Sequence, residues 1–251
     1  MLIQGLRPPV APSRRSFLCD ATLQSASFTP ITGAQGAMQG LTIKQLDCVR
    51  GDRLVFAGLA LAVNPGRALL LSGANGSGKS SLLRIVAGLL PAAAGTLSWE
   101  GEDIGADADA HRRRIAYIGH ADPVKPGLTV CENLEFWARL YGLGPDIEPA
   151  LFQFGIEHLA DLPARYLSAG QRRRLTLARL AIGQNSPVGP PLWLLDEPAA
   201  GLDPAAVALL ADTIMAHLST EGVALIASHG GLLDDTLGTH ADRLDLQDAA
   251  P

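Results

Sequence analysis

The sequence predicts an α/β fold in which a largely parallel sheet is interrupted by a run of helices. Three observations predict it. Apolar runs at 68–71, 192–195 and 223–226 read as strands, and the last two read as strands covered on both faces. Residues 129–182, between them, carry helical periodicity over three stretches. A glycine-rich turn joins the first apolar run to a helix with Leu82, Ile85, Val86, Leu89 and Leu90 at helical spacing.

Taken in order, residues 1–40 stand apart. Pro8, Pro9, Pro12 and a Ser/Thr/Gly/Ala-rich run show little periodicity, so a disordered leader is expected, or a start assigned too early with Met38 opening the functional chain. Ser13-Arg-Arg-Ser-Phe-Leu18 has the outline of a twin-arginine export signal, but Asp20, Gln24 and several hydroxyl residues break the apolar stretch such a signal needs. From Leu41 the pattern becomes regular. Strands are expected at 41–46, 54–56 and 59–63, then at 68–71 after the turn Asn64-Pro65-Gly66. The following helix is expected to run from Ser81 to Leu90, ended by Pro91 and Gly95. Strands at 96–99 and 114–118 follow, then helices at 130–140, 148–158 and 171–182 and a Gly/Pro/Asn loop at 183–191. A helix at 205–218 and strands at 192–195, 223–226 and 244–246 complete the pattern, and no internal repeat is present.

Composition bounds the function. The 251 residues suffice for one large domain or two small ones, and 47% apolar with 18% charged residues is a globular balance. A net charge of −5 with a pI near 5.6 argues against non-specific nucleic-acid binding. Cys19, Cys48 and Cys131 have no paired spacing, which suits a reducing compartment and no structural zinc. No apolar stretch approaches the roughly 18–20 residues that span a bilayer, so in a membrane process another chain must do the spanning.

The chemistry lies in three segments. Gly73-Ala-Asn-Gly-Ser-Gly-Lys79-Ser80 fits the phosphate-binding pattern G-x-x-x-x-G-K-[S/T] between a strand and a helix. Glycines let the backbone wrap so that its N–H groups converge on phosphate oxygens, and the helix N-terminus adds to that field. Lys79 supplies a point charge and Ser80 a hydroxyl for Mg²⁺, so Gly73, Ala74, Asn75, Gly76, Ser77, Gly78, Lys79, Ser80 and Ser81 are the candidate nucleotide contacts. Asp196 and Glu197 end the strand at 192–195. Successive strand residues point opposite ways, so one carboxylate can hold the metal while the other faces an attacking water. Leu167-Ser-Ala-Gly-Gln171 precedes a helix; alone it reads as an ordinary N-cap, though Ser168, Gly170 and the helix N-terminus also make an anion site. The run Arg172-Arg173-Arg174 reads as a solvated or partner-facing helix surface.

In this order, with Gly201-Leu-Asp203 and His229 following, the segments resemble the ATP-binding-cassette ATPases over about 41–246. The resemblance implies a phosphate-loop NTPase core of that type spanning 41–248. It carries an inserted helical subdomain at about 121–182 and a small antiparallel β subdomain. It also implies ATP and Mg²⁺, the metal held by Ser80 and Asp196, and a head-to-tail homodimer enclosing two nucleotides. Ser168, Gly170 and Gln171 of one subunit would then cap the γ-phosphate held by Lys79 of the other. Glu197 would polarise the attacking water, His229 would contact the γ-phosphate, and Asp203 would cross the interface.

Three departures from the family pattern stand out. Ala169 replaces a second glycine in the segment at 167–171. Arg50 stands where an adenine-stacking aromatic is usual; a guanidinium plane can stack on a base, and a solvent-facing turn arginine is the other reading. His120 replaces the glutamine of the segment that senses Mg²⁺ and the γ-phosphate and sits against the membrane subunit. The Gly119-His120 pair, Lys125, Leu128-Thr-Val-Cys-Glu-Asn-Leu134 and Leu167-Ser-Ala-Gly-Gln171 with its arginines resemble one branch, the ATPases of bacterial cytochrome c maturation. That branch implies two integral membrane subunits, an indirect tie to a periplasmic haem chaperone, and a place on the cytoplasmic face of the inner membrane. His120 is not read as a haem ligand, since no CxxCH motif or second ligand accompanies it. An ATPase for another exporter, of drugs, lipids or polysaccharides, is the alternative.

Overall fold

A computed structural model describes residues 40–182 and 189–247; the leader expected at 1–40, Gly40 apart, and most of the loop expected at 183–191 lie outside the described residues. The strands are β1 (Leu41–Arg50), β2 (Arg53–Val63), β3 (Ala68–Ser72), β4 (Ala94–Trp99), β5 (Glu102–Asp103), β6 (Ile115–Ile118), β7 (Leu192–Asp196), β8 (Val223–Ala227) and β9 (Ala241–Asp245). The helices are α1 (Lys79–Val86), α2 (Ala108–Arg113), α3 (Val130–Leu140), α4 (Glu148–Gln153), α5 (Ala169–Ala181), α6 (Pro204–Ser219) and α7 (Leu232–Leu237). Two sheets result. One is antiparallel in the order β2–β1–β4–β5; the other is parallel in the order β6–β7–β8–β3–β9.

The central strands β3, β7 and β8 of the parallel sheet are buried on both faces, and their residues alternate between two cores as the pleat requires. Leu69, Leu71, Leu192, Leu194, Val223 and Leu225 face a core shared with α1 and the antiparallel sheet. Leu70, Trp193, Leu195, Ala224 and Ile226 face a second core built with α3, α4, α5 and α6. Because both faces are covered, these strands have no polar side to show, which is why they read as continuous apolar runs. Among the described residues no helix is long and apolar enough to cross a membrane.

Several expected boundaries move, each for a local reason. The strands expected at 54–56 and 59–63 are one 11-residue strand, β2. Gly58 adopts φ +64° within it, the register with β1 shifts there, and the Gly58 N–H donates to the Asp47 carboxylate at 2.7 Å. Helix α1 ends at Val86 rather than Leu90; Gly88 turns into the left-handed region (φ +67°) and leaves Leu89 63% exposed. The helix expected at 148–158 stops at Gln153, and a 3-10 turn, Glu157–Leu159, resumes after Gly155 (φ +63°). The last strand lies at Ala241–Asp245 rather than 244–246, paired to β3 along its length. Helices α2 and α7 and the two-residue β5 were not expected.

Candidate nucleotide site

The phosphate loop is the turn between β3 and α1. Gly78 (φ +106°) closes it, and a Cβ there would meet Val55 at 2.7 Å and Phe56 at 2.9 Å, so both conformation and space demand glycine. Gly73 (φ +126°) is similarly bound, with Ser77 Oγ 2.8 Å from any Cβ. The loop therefore packs against the antiparallel sheet at Val55 and Phe56, and the Ser77 N–H closes it internally on Ala74 O at 3.1 Å. Lys79, 6% exposed, arches back over the loop and donates to Gly73 O at 2.6 Å and Ala74 O at 3.3 Å. Its ammonium is thus fixed above the cradle and not free in solvent.

Ser80 and Asp196 meet although 116 residues separate them. Ser80 Oγ donates to Asp196 Oδ1 at 3.0 Å, and Asp196 is buried at the end of β7. A hydroxyl and a carboxylate at the mouth of the cradle are an all-oxygen pair of the kind Mg²⁺ takes, and they fit that ion. Glu197 follows with φ +49°, a left-handed conformation uncommon outside glycine. Glu197 Oε1 lies 3.1 Å from His229 Nε2, just beyond β8, so the expected acid and the expected switch histidine are in contact.

A cavity of about 460 Å³ lies at this loop, lined by Asn75, Gly76, Gly78, Lys79, Ser80, Ser81 and Glu197, with Arg50, Arg53 and Val55 from the antiparallel sheet; Gly73, Ala74, Ser77, Asp196 and His229 stand behind that lining. That volume lies within the usual range for small-molecule sites. Arg50 is therefore at the site. Arg53 was not anticipated; it pairs directly with Arg50 across the two-residue turn Gly51-Asp52, so both guanidinium groups emerge together. The Arg-Gly-Asp-Arg spacing of a tight hairpin was the available signal.

The other expected residues do not line this cavity. Ser168 and Gln171 form a reciprocal capping box at the start of α5, with Ser168 N–H to Gln171 Oε1 at 2.9 Å and Gln171 N–H to Ser168 Oγ at 3.2 Å. Gly170 lies in the first turn of that helix, with open space where a Cβ would sit. Asp203 caps α6 through Ala206 N–H at 2.8 Å and accepts from Arg174 at 2.6 Å. The Ala206 N–H first, and the Arg174 guanidinium after it, hold its carboxyl below the usual range. His120 is exposed and opens onto a different, larger groove of about 750 Å³ that also includes Arg84, Arg113, Trp137 and Tyr141.

The reading of Arg172-Arg173-Arg174 as a solvated, salt-bridged or partner-facing surface is corrected at Arg173, while Arg174 does pair with Asp203. Arg172 is exposed, but Arg173 is 6% exposed and its guanidinium binds the backbone of Glu197 and Pro198. Sequence spacing carries no sign that the middle arginine turns inward.

Comparison with known proteins shows the family and the fold. The ABC transporter family matches residues 56–200. The cytochrome c biogenesis ATP-binding export protein CcmA of Paramagnetospirillum magneticum is 44% identical over 83% of this chain and 96% of that protein. Its counterpart from Rhodospirillum rubrum is 49% identical over 74% and 78%. Among solved structures, an ATP-binding subunit of an ABC transporter superposes with a TM-score of 0.69 at 25% identity, covering 82% of this chain and 85% of that one. A Pyrococcus furiosus ABC transporter ATP-binding protein, described as putative, has a TM-score of 0.70 at 23% identity over 84% and 99%. The chain belongs to the ABC transporter ATP-binding family, among the cytochrome c biogenesis ATP-binding export proteins.

Proposed function

We propose that this chain hydrolyses ATP at the Gly73-to-Ser80 loop as one of two identical copies, powering a membrane complex of cytochrome c biogenesis. The observation that carries the reading is the convergence, at one cradle, of Lys79, the Ser80–Asp196 pair and the Glu197–His229 pair. Backbone N–H groups of the loop and the Lys79 ammonium bind the β- and γ-phosphates, and the α1 N-terminus faces the same charge. Ser80 and Asp196 would hold a Mg²⁺ ion, which would supply neutralisation of phosphate charge. Glu197 orients a water in line with the γ-phosphate and accepts its proton as the bond to phosphorus forms and the bond to the β–γ bridging oxygen breaks. His229 fixes the Glu197 carboxylate through the 3.1 Å contact and reaches the γ-phosphate from the β8 side.

The residues outside the cavity fit a second copy. Ser168, Gly170 and Gln171 sit at a helix N-terminus suited to anions and remote from their own loop; in a head-to-tail pair they cap the partner's γ-phosphate. The groove at His120 has Leu89 and Leu140 exposed on its walls and serves as the seat of an integral membrane subunit. In that arrangement the chain is peripheral, on the cytoplasmic face of the inner membrane. Hydrolysis there drives either haem export or release of a haem-loaded periplasmic chaperone.

The test is haem staining of c-type cytochromes in cells whose sole copy carries Glu197→Gln. Loss of all covalently haem-bearing bands is expected. Normal bands would overturn the assignment and leave an ABC ATPase with other cargo.

A further inference from the structure

Arg173 joins three segments that the proposed mechanism treats separately. Its Nη2 donates to Glu197 O at 2.7 Å and its Nε to Pro198 O at 3.2 Å. Its Nη1 donates to Gly119 O at 3.3 Å and to Asp122 Oδ1 at 3.0 Å. All three nitrogens are engaged, in a guanidinium that is almost wholly buried. The plane of that group is rigid, so its four acceptors are held in one geometry and a shift at one is felt at the others.

The acceptors belong to distinct pieces of the fold. Glu197 and Pro198 follow β7; Gly119 and Asp122 flank His120 on the segment leaving β6; Arg173 itself lies one turn into α5, whose cap is Ser168. Glu197 is also the residue that most needs holding. A non-glycine residue at φ +49° is strained and persists only where its surroundings fix it. Three contacts fix its backbone here: its own N–H to Ala227 O at 3.0 Å, and on its carbonyl both the Ala200 N–H at 3.1 Å and, from outside the local turn, Arg173 at 2.7 Å.

We propose that Arg173 is a positioning residue for Glu197, presenting its carboxylate only while helix α5 and the 119–122 segment stand in register with the end of β7. This rests on the role given to Glu197 above. The consequence is regulatory: whatever shifts α5, by its cap, or the 119–122 segment, by the His120 groove, moves the Glu197 backbone through one guanidinium. Arg173 touches no reacting atom in this scheme.

The experiment measures phosphate release by the chain purified with its membrane subunits, together with binding of a fluorescent ATP analogue. Glu197→Gln is the reference. If it leaves turnover intact, the role of Glu197 fails, whatever Arg173 does. Given loss in that reference, Arg173→Met is expected to lower kcat roughly ten- to hundredfold, with KM and analogue affinity unchanged. Arg173→Lys should fall between, since an ammonium cannot reach all four acceptors. Asp122→Asn should lower kcat less, and the Arg173→Met/Asp122→Asn double variant should be no slower than Arg173→Met alone. A folded Arg173→Met with normal kcat, a rise in KM at constant kcat, or losses that multiply in the double variant would each overturn the proposal. Should Arg173→Met fail to fold, Arg173→Lys and Asp122→Asn decide the matter, and normal turnover in both would overturn it.

Discussion

His217 lies on α6, 8% exposed, its ring stacked on Trp193 at 3.8 Å and 8° from parallel. Burial pushes its pKa down to about 4, against the smaller opposing pull of the Val223 and Pro191 carbonyls. A folded pKa below the unfolded value of about 6.5 means that the unfolded chain takes the proton first. The associated stability is whole above pH 6.5 and is lost as pH falls toward 4, roughly 3 kcal/mol across that window. Urea unfolding at pH 7, 5.5 and 4.5 should show this loss in the wild type and a shallower one in His217→Phe; equal losses would contradict the assignment. Beneath the ring lies Gly222, where a Cβ would come within 2.3 Å of the imidazole, so Gly222→Ala should destabilise by about 1–3 kcal/mol in the same assay. At the nucleotide cavity, Arg50→Ala should weaken binding of a fluorescent ATP analogue by roughly fivefold and Arg50→Tyr should restore it, if the guanidinium stacks on the base. Unchanged affinity in Arg50→Ala would leave it a turn arginine. The contrast with Arg173 shows what sequence can carry. Contiguous contacts such as Gly73 to Ser80 follow from spacing, whereas an arginine that leaves its helix face to hold a distant carbonyl is decided by packing alone.

At the scale of elements, local chemistry settles the ends. Thr129 and Glu132 form a capping box at α3, with Glu132 N–H to Thr129 Oγ1 at 3.1 Å and Thr129 N–H to Glu132 Oε2 at 2.8 Å. Thr129→Ala should cost about 1 kcal/mol by chemical denaturation and leave turnover unaffected. Ser168 makes the same motif at α5 but has a second proposed task. Ser168→Ala should show a similar loss of stability and, in addition, a fall in turnover that Thr129→Ala lacks. The long helices and buried strands were legible because their periodicity extends over many residues. Helices α2 and α7, six residues each, give too few turns for a period to register. Where a glycine breaks a pattern, as at Gly88 and Gly155, the positive φ that ends the helix comes from the turn it enters, and apolar spacing continues past it unaltered.

For the molecule as a whole, the proposed two-copy clamp predicts that Glu197→Gln with Mg²⁺ and ATP doubles its mass in light scattering, while the same variant with ADP does not. A single mass under both conditions would remove the second copy from the mechanism. The order of the parallel sheet bears on how such a site is dimensioned. Strand β8 lies between β3, which delivers the phosphate loop, and β7, which delivers Asp196 and Glu197. Neighbouring strands stand about 4.8 Å apart, so the loop and the two carboxylates rise from strand ends separated by about 10 Å. The intervening strand also puts His229 on the midline between the two banks. The spacing of the two banks is therefore counted in whole strands, a dimension that side-chain substitutions leave as it is while they retune the walls between.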